Sequence, residues 1–337
     1  MNYLDGFSGT GGFHLGLENA GFQFNKVYYS EINKYAIANY SFNFSKSIYA
    51  GSIDAICSNG IIDNIDMFTF GWPCQDNSIA GKRKGQSTGT RSGLLYEAVK
   101  VIDKYRPRNF IAENVLGLLT VNKGIDIVES IKILSYLNES CPQYDIEMQL
   151  FNTRWVLPQN RERLYFVGHL RGSGSKQIFP IGEERTGDVK KGGYTKEGVS
   201  CTLGTRSAKS RLGCDYTIVK IKSATNSGYE IATVGDSINT AYPESKTRRG
   251  RVGKQIAQTL QTGLNQCIYL GDDLFRDLTP TEYERLQGLP DDWTKYGLFD
   301  GKLKELSDTQ RYRLCGNGVS TNIVEMIAKK LYKEPLI

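Results

Sequence analysis

The chain has 337 residues, 39% apolar and 11% aromatic, enough to bury a sizeable core, so a disordered chain is excluded as the starting expectation. Seven scattered cysteines with no C-x-x-C pair argue against a disulfide framework and a zinc knuckle, and no metal is expected. Two histidines, His14 and His169, leave a histidine-based triad almost without candidates. The start, Met1-Asn2-Tyr3-Leu4-Asp5, lacks the charged and apolar regions of a signal peptide, so none is expected, and no apolar run approaches the roughly 18–20 residues that span a bilayer. A cytoplasmic protein without a membrane partner is expected. The net charge is +6, but it is unevenly spread: between Arg185 and Lys254 fourteen Lys/Arg stand against six Asp/Glu. That excess fits a polyanionic partner and equally a solvated loop region.

In chain order, short apolar runs predict strands at Tyr3–Asp5, Lys26–Tyr29, Ser47–Tyr49, Met67–Phe70, Asn109–Ala112, Ile146–Phe151 and Leu164–Val167. Helical patterns fall between them at Gly12–Ala20, Asn33–Asn39, Tyr96–Tyr105 and Ile125–Glu139, which predicts an α/β fold with a mainly parallel sheet. From about Gly172 the texture changes to dense Gly, Ser, Thr and Lys. Short strands are predicted there at Thr217–Ile221, Glu230–Val234 and Cys267–Leu270, as a smaller, irregular β-rich region. Helical texture returns at Thr281–Gly288 and Ile323–Lys330.

Open α/β sheets bind ligands beyond the carboxyl ends of their strands, and the unusual residues of this chain follow predicted strands. The run Asp5-Gly6-Phe7-Ser8-Gly9-Thr10-Gly11-Gly12 follows the first strand and opens a helix, which suits close approach to a ligand. The dinucleotide fingerprint is not met, because His14 stands where a third small residue belongs. Glu31, at the next strand end, suits a ribose diol, so a nucleoside ligand without a pyrophosphate fits best. Cys74 follows the fourth strand within Gly71-Trp72-Pro73-Cys74-Gln75-Asp76-Asn77-Ser78, and a glycine-rich basic loop with Lys82, Arg83, Lys84 and Arg91 comes after it. Glu113-Asn114-Val115 ends the fifth strand. In Gln159-Asn160-Arg161-Glu162-Arg163 the alternate residues share one face and predict a fork of donors aimed at one place. Taken singly, each motif has a plainer reading: a tight turn, a surface carboxylate, a structural cysteine, a solvated strand edge.

Together they resemble the C5-cytosine-specific DNA methyltransferase family of bacteria and phage. The ordered matches are Asp5-x-Phe7-Ser8-Gly9-x-Gly11-Gly12, Glu31, Pro73-Cys74-Gln75, Glu113-Asn114-Val115, Gln159-x-Arg161-x-Arg163, Glu284-Arg285-Leu286-Gln287-Gly288 and Gly316-Asn317-x-Val319. The resemblance implies a Rossmann-like fold in which residues 1–175, completed by 305–337, form the catalytic domain. Residues 176–275 would be the target recognition domain and 276–304 the connection. It implies S-adenosylmethionine as methyl donor, S-adenosylhomocysteine as product, and double-stranded DNA as partner of a monomer. It leaves open a cognate restriction endonuclease as a separate protein.

By the same resemblance Cys74 is the nucleophile, and Glu113, Arg161 and Arg163 surround the cytosine. Phe7, Ser8, Gly9, Gly11, Gly12, Glu31, Ile53, Pro73, Asn317 and Val319 would hold the cofactor. Gln75, Ser78, Arg91, Arg206, Arg248, Arg249 and Arg251 would contact DNA. The family's Thr-Leu landmark is either Thr202-Leu203 or Thr259-Leu260. Two departures stand out: Gly51-Ser52-Ile53 replaces the usual Gly-Asp-Ile, with Asp54 adjacent, and Asp76-Asn77-Ser78 lacks the common aromatic. Three rivals are a tRNA-methylating branch, which typically has a shorter recognition region, a binding protein that has lost catalysis, and a NAD-dependent oxidoreductase.

Overall fold

The computed structural model of the chain describes residues 1–59, 63–72, 93–182, 218–247 and 249–332. Strands and helices alternate through its first half: β1 (Asn2–Gly6), α1 (Gly12–Asn19), β2 (Lys26–Ser30), α2 (Lys34–Asn43), β3 (Ile48–Tyr49) and α3 (Ile53–Asn59). They continue with β4 (Met67–Gly71), α4 (Gly93–Tyr105), β5 (Asn109–Val115), α5 (Ile125–Tyr136), β6 (Tyr144–Asn152), β7 (Gln159–Asn160) and β8 (Glu162–Leu170). Every strand and helix expected before residue 170 is present. Seven of these strands make one sheet in the order β3-β2-β1-β4-β5-β8-β6. The first five are parallel, and β8 runs antiparallel to both its neighbours. The order reverses between β1 and β4, where crossovers leave to opposite sides and a crevice opens beyond the strand ends.

Period-two alternation sends successive strand residues to opposite faces. Leu4, Phe68, Phe70, Phe110 and Ala112 pack with α3, α4 and α5. Tyr3, Met67, Ile111 and Val167 pack on the other face with Phe13 and Leu17 of α1 and with the C-terminal helix α8 (Thr321–Tyr332). Gly16 lets α1 and α8 touch, since a Cβ there would lie 2.7 Å from Val324.

The second half carries β9 (Val219–Lys222), β10 (Tyr229–Ala232), β11 (Ser237–Asn239), β12 (Val252–Gly253), β13 (Ala257–Gln258), β14 (Gln266–Gly271) and β15 (Leu274–Asp277). The chain then forms α6 (Pro280–Leu286), the hairpin β16 (Tyr296–Phe299) and β17 (Lys302–Glu305), and α7 (Asp308–Asn317) before α8. β12-β11-β14-β15 form a small sheet and β9-β10 a two-stranded one. Their shared core is thin, built on Ala232, Ile238, Cys267 and Tyr269. The parallel pairing of β13 with β7 ties this region to the segment immediately before Arg161. No helix among the described residues is long and apolar enough to cross a membrane.

Candidate active site

Register brings the expected residues to one edge of the sheet. Gly6 is level with Ser30 and Phe70, and Gly71 is level with Glu113, so the segments after β1, β2 and β4 open beside the end of β5. Because β8 runs the other way, its first residues meet the same edge, with Arg163 opposite Val115.

The glycine loop is folded for a close-fitting ligand. Gly9 and Gly11 lie in the left-handed region, at φ 53° and 77°, and a Cβ at Gly11 would meet the Phe44 ring at 2.3 Å. Phe7 also has a positive φ, 53°, and packs against the core cluster under α4. The Glu31 carboxylate accepts from the amides of Gly9 (3.0 Å), Ile32 (2.8 Å) and Asn33 (2.9 Å), which puts an acceptor beside the loop. Val319 closes over Gly12: a Cβ there would be 2.9 Å from its methyl. Ile53 packs under Gly6, and Asn317 ends α7 with an exposed side chain. Two buried hydroxyls, Ser8 Oγ in the loop and Ser320 Oγ next to Val319, lack a hydrogen-bond partner among the described residues. They are donors and acceptors that a polar ligand in this cradle would satisfy.

Beneath the loop, Asp5 is fully buried. Burial pushes its carboxyl from 3.8 up to about 8, against the hydroxyls of Thr69 (3.0 Å) and Tyr40 (3.3 Å) that donate to it. The Tyr40 hydroxyl also pairs with His14 Nδ1 at 3.0 Å, so the histidine that breaks the dinucleotide fingerprint is part of a buried network.

At the other end of the crevice Glu113 and Arg163 form an ion pair of 2.9 Å, both largely shielded from solvent. Asn114 Nδ2 donates to the Trp72 carbonyl at 3.1 Å and so fixes the last described residue before Pro73-Cys74. Arg161 is 3% exposed. Its Nη2 donates to the Gly318 carbonyl at 2.7 Å, while Nε and Nη1 have no partner among the described residues. Burial, then the neighbouring Arg163, lowers it to about 10. A buried guanidinium with unmet donors favours an anion beside it.

Gln159 thus does not join Arg161 and Arg163 as expected. Gln159 is buried, donating to the Leu286 carbonyl (2.7 Å) and accepting from the Leu260 amide (3.2 Å), where it joins α6 to the Thr259-Leu260 segment. Arg251, expected on DNA, also departs from its expectation. It is 2% exposed, and its guanidinium donates to the carbonyls of Asn239, Ala241 and Tyr242. Arg249 is exposed, its Nε donating to the Ala224 carbonyl at 2.9 Å. Pro73, Cys74, Gln75, Ser78, Lys82, Arg83, Lys84, Arg91, Thr202, Leu203, Arg206 and Arg248 lie outside the described residues.

Sequence reasoning missed Trp293, whose indole N–H donates to the Thr10 carbonyl of the glycine loop at 2.9 Å. It also missed Arg311, which reaches the buried Glu284 at 3.0 Å. Neither has a local signal, since both act across long stretches of chain. Among the described cysteines, burial raises the thiols of Cys57, Cys267 (to about 11) and Cys315, so none of these three is a ready nucleophile.

Comparison with known proteins fits this geometry. The model of the C-5 cytosine-specific DNA methylase family matches residues 1–333. The type II methyltransferase M1.ScrFI of Lactococcus lactis subsp. cremoris is 30% identical over 345 residues, covering 97% of this chain and 77% of that protein. M.NlaX of Neisseria lactamica is 30% identical, covering 97% and 95%, and M.HpaII of Haemophilus parainfluenzae is 28% identical, covering 99% and 90%. Among solved structures, a putative DNA modification methyltransferase encoded within an E. coli prophage aligns at TM-score 0.58 with 22% identity, covering 98% of both chains. The S. pombe Dnmt2 methyltransferase aligns at TM-score 0.62 with 17% identity, covering 99% of this chain and 98% of that one. These two likenesses are of fold. The family match, over nearly the whole chain, goes further: the chain belongs to the C-5 cytosine-specific DNA methylase family and is a DNA (cytosine-5)-methyltransferase.

Proposed function

We propose that the chain methylates C5 of a cytosine turned out of duplex DNA, through a transient bond between Cys74 and C6 of the base. The observation that carries this is the meeting, at one sheet edge, of the glycine cradle with the Glu113–Arg163 pair and with Trp72, the residue that leads into Pro73-Cys74. Cytosine C5 is a poor nucleophile, so a thiolate must first add to C6 and push electron density onto C5. S-adenosylmethionine, when bound, supplies the methyl group that C5 takes, leaving S-adenosylhomocysteine. Loss of the C5 proton and elimination of the thiolate then restore the aromatic ring.

The residues divide this work. A free thiol has a pKa of about 8.5, so only a few per cent is thiolate at neutral pH. The two arginines at the crevice, Arg161 with unmet donors, favour the anion. Glu113 faces the N3/N4 edge of the base and favours a proton on N3 as charge develops, while Arg163 takes O2. When the cofactor is bound, Phe7 would stack on its adenine, Glu31 would hold the ribose hydroxyls, and Gly9, Gly11, Gly12, Ser8, Ile53, Asn317 and Val319 would line the remainder. The contacts to the cytosine cannot be made inside a stacked helix, and extrusion of the base costs about a few kcal/mol.

Residues 1–175 with 305–337 then act as the catalytic unit, 176–275 as the recognition region and 276–304 as their connection. The basic excess of the middle region supports duplex DNA as partner. Type II methyltransferases among the relatives support a restriction–modification setting, and the orphan methyltransferases of Bacillus phages among them support a solitary enzyme equally.

The test begins with bisulfite sequencing of host DNA expressing the chain, which reports the target. A duplex carrying 5-fluorocytosine at that target should then trap the native protein in a complex that survives denaturation, because fluorine cannot leave as the proton does. Cys74→Ala should form no such complex and transfer no methyl label, while still binding DNA. Transfer of label by Cys74→Ala would overturn the covalent route.

A further inference from the structure

We propose that Arg251 is a positioning residue that fixes the β11–β12 turn in one conformation, and that the turn presents Tyr242 to the duplex as a specificity-determining side chain. The proposal rests on the reading of 176–275 as the recognition region. β11 ends at Asn239 and β12 begins at Val252, so residues 240–247 and 249–251 belong to the connection between two paired strands. Tyr242, Pro243, Glu244, Lys246 and Arg249 of this connection are exposed. An exposed connection of this length ordinarily samples many conformations. Here it is gripped from beneath.

The grip is a buried cation. Arg251 Nη1 donates to the carbonyls of Asn239 and Ala241, each at 3.2 Å, and Nη2 donates to that of Tyr242. Its own amide donates to Glu230 Oε2 at 2.7 Å, which anchors the residue to β10. Taking a guanidinium out of water to meet carbonyl dipoles is costly. An apolar side chain would fill the same space without that cost. What the planar fork adds is simultaneous hold on three carbonyls of one turn, which the single ammonium of lysine cannot match.

Tyr242 is the residue most affected. Its φ is 52°, a left-handed conformation that bulky side chains rarely adopt, and its carbonyl accepts from both Arg251 Nη2 and the Ser245 amide. Yet its side chain is 71% exposed, so the strain fills no core. Strain held by surrounding structure at an exposed aromatic is a mark of a presented side chain. A tyrosine ring offers an apolar face to a thymine methyl and a hydroxyl to a base edge. The surroundings suit a phosphate border: Lys246 and Arg249 on the turn, with Lys220 and Lys222 on the adjacent hairpin. Lys222 pairs with Glu244 and Arg249 with the Ala224 carbonyl, which stitches the two hairpins together.

The experiment measures methyl transfer on the target duplex and on duplexes carrying each single base-pair change, for the native chain, Tyr242→Ala, Arg251→Lys and Arg251→Met. Tyr242→Ala should reduce discrimination by about tenfold at one or two base pairs and leave it intact at the rest. Arg251→Lys should relax the same base pairs, with cofactor binding unchanged and faster amide hydrogen exchange at 241–246. Arg251→Met should do likewise if it folds. An unchanged profile in Tyr242→Ala overturns the role of Tyr242. A loss of rate equal on all duplexes in Arg251→Lys marks the arginine as structural only and overturns its role. Photocrosslinking to a target duplex with a photoreactive base separates the levels of failure. Crosslinks at 240–250 support the proposal; crosslinks elsewhere within 176–275 overturn the turn alone; crosslinks only outside 176–275 overturn the reading of the region beneath it.

Discussion

Asp5 holds a proton where a free carboxyl would have lost it, because burial under the glycine loop outweighs the hydroxyls of Thr69, Tyr40 and Tyr3 that favour its charged form. Folded, it titrates at about 8; unfolded, near 3.8. Between those values the folded state binds the extra proton, so this group's contribution to stability falls as pH rises from about 4 to about 8 and is level above. Asp5→Asn keeps an acceptor for Thr69 and removes the ionisation. Urea melts at pH 5 and pH 8 should show a smaller fall in stability for the variant, by up to about one proton's worth of slope. An unchanged slope would mean that Asp5 is ionised in the native protein. The residue scale is also where sequence reading was sharpest and where it erred. Glu113, Arg163 and Glu31 stand beside the expected neighbours because each sits at a strand end, and strand ends are legible. Arg251 and Gln159 are both buried, and neither a resemblance nor a spacing says whether a side chain turns in or out.

At the scale of elements, periodicity revealed the strands and helices of the first half, but not their order. That β8 inserts between β5 and β6 depends on where the returning chain finds an open edge, and no local residue records it. The motif at Glu284 shows a related gap. Thr279 caps α6 through a reciprocal bond with Glu282, a pattern readable in sequence. Glu284 itself is fully buried and gathers distant groups: the amides of Asp292 and Thr294, each at 2.8 Å, the Thr294 hydroxyl, and Arg311 from α7. This one carboxylate therefore shapes the 288–294 segment that brings Trp293 to the glycine loop. Glu284→Ala leaves Arg311 with Asp292 and the Thr294 hydroxyl and orphans buried donors, so a loss of about 3 kcal/mol is expected in denaturant melts. Cofactor affinity should fall with it at temperatures where the variant is still folded. A variant within about 0.5 kcal/mol of native stability would show the network to be dispensable.

At the scale of the whole molecule, the two ends of the sequence share one core. Ile323, Val324, Ile327, Ala328 and Leu331 of α8 are buried against the sheet face that Phe13 and Leu17 of α1 also cover. Full burial of each larger side chain is worth about 1.5–3 kcal/mol, so α8 contributes on the order of the net stability of a typical domain. The resemblance implied that the C-terminal segment completes the first domain, and the packing supports that reading, since Gly16 leaves room for Val324 and the buried face of α8 lies in the same core cluster as α1. A chain ending before Thr321 should therefore lose cooperative thermal unfolding, bind a hydrophobic dye, and fail to bind S-adenosylmethionine in calorimetry. Val324→Asp, which buries a charge at the same contact with the chain otherwise whole, should weaken both folding and cofactor binding. If the shortened chain melts cooperatively and still binds the cofactor, α8 is an appendage, and the glycine loop stands on the sheet without it.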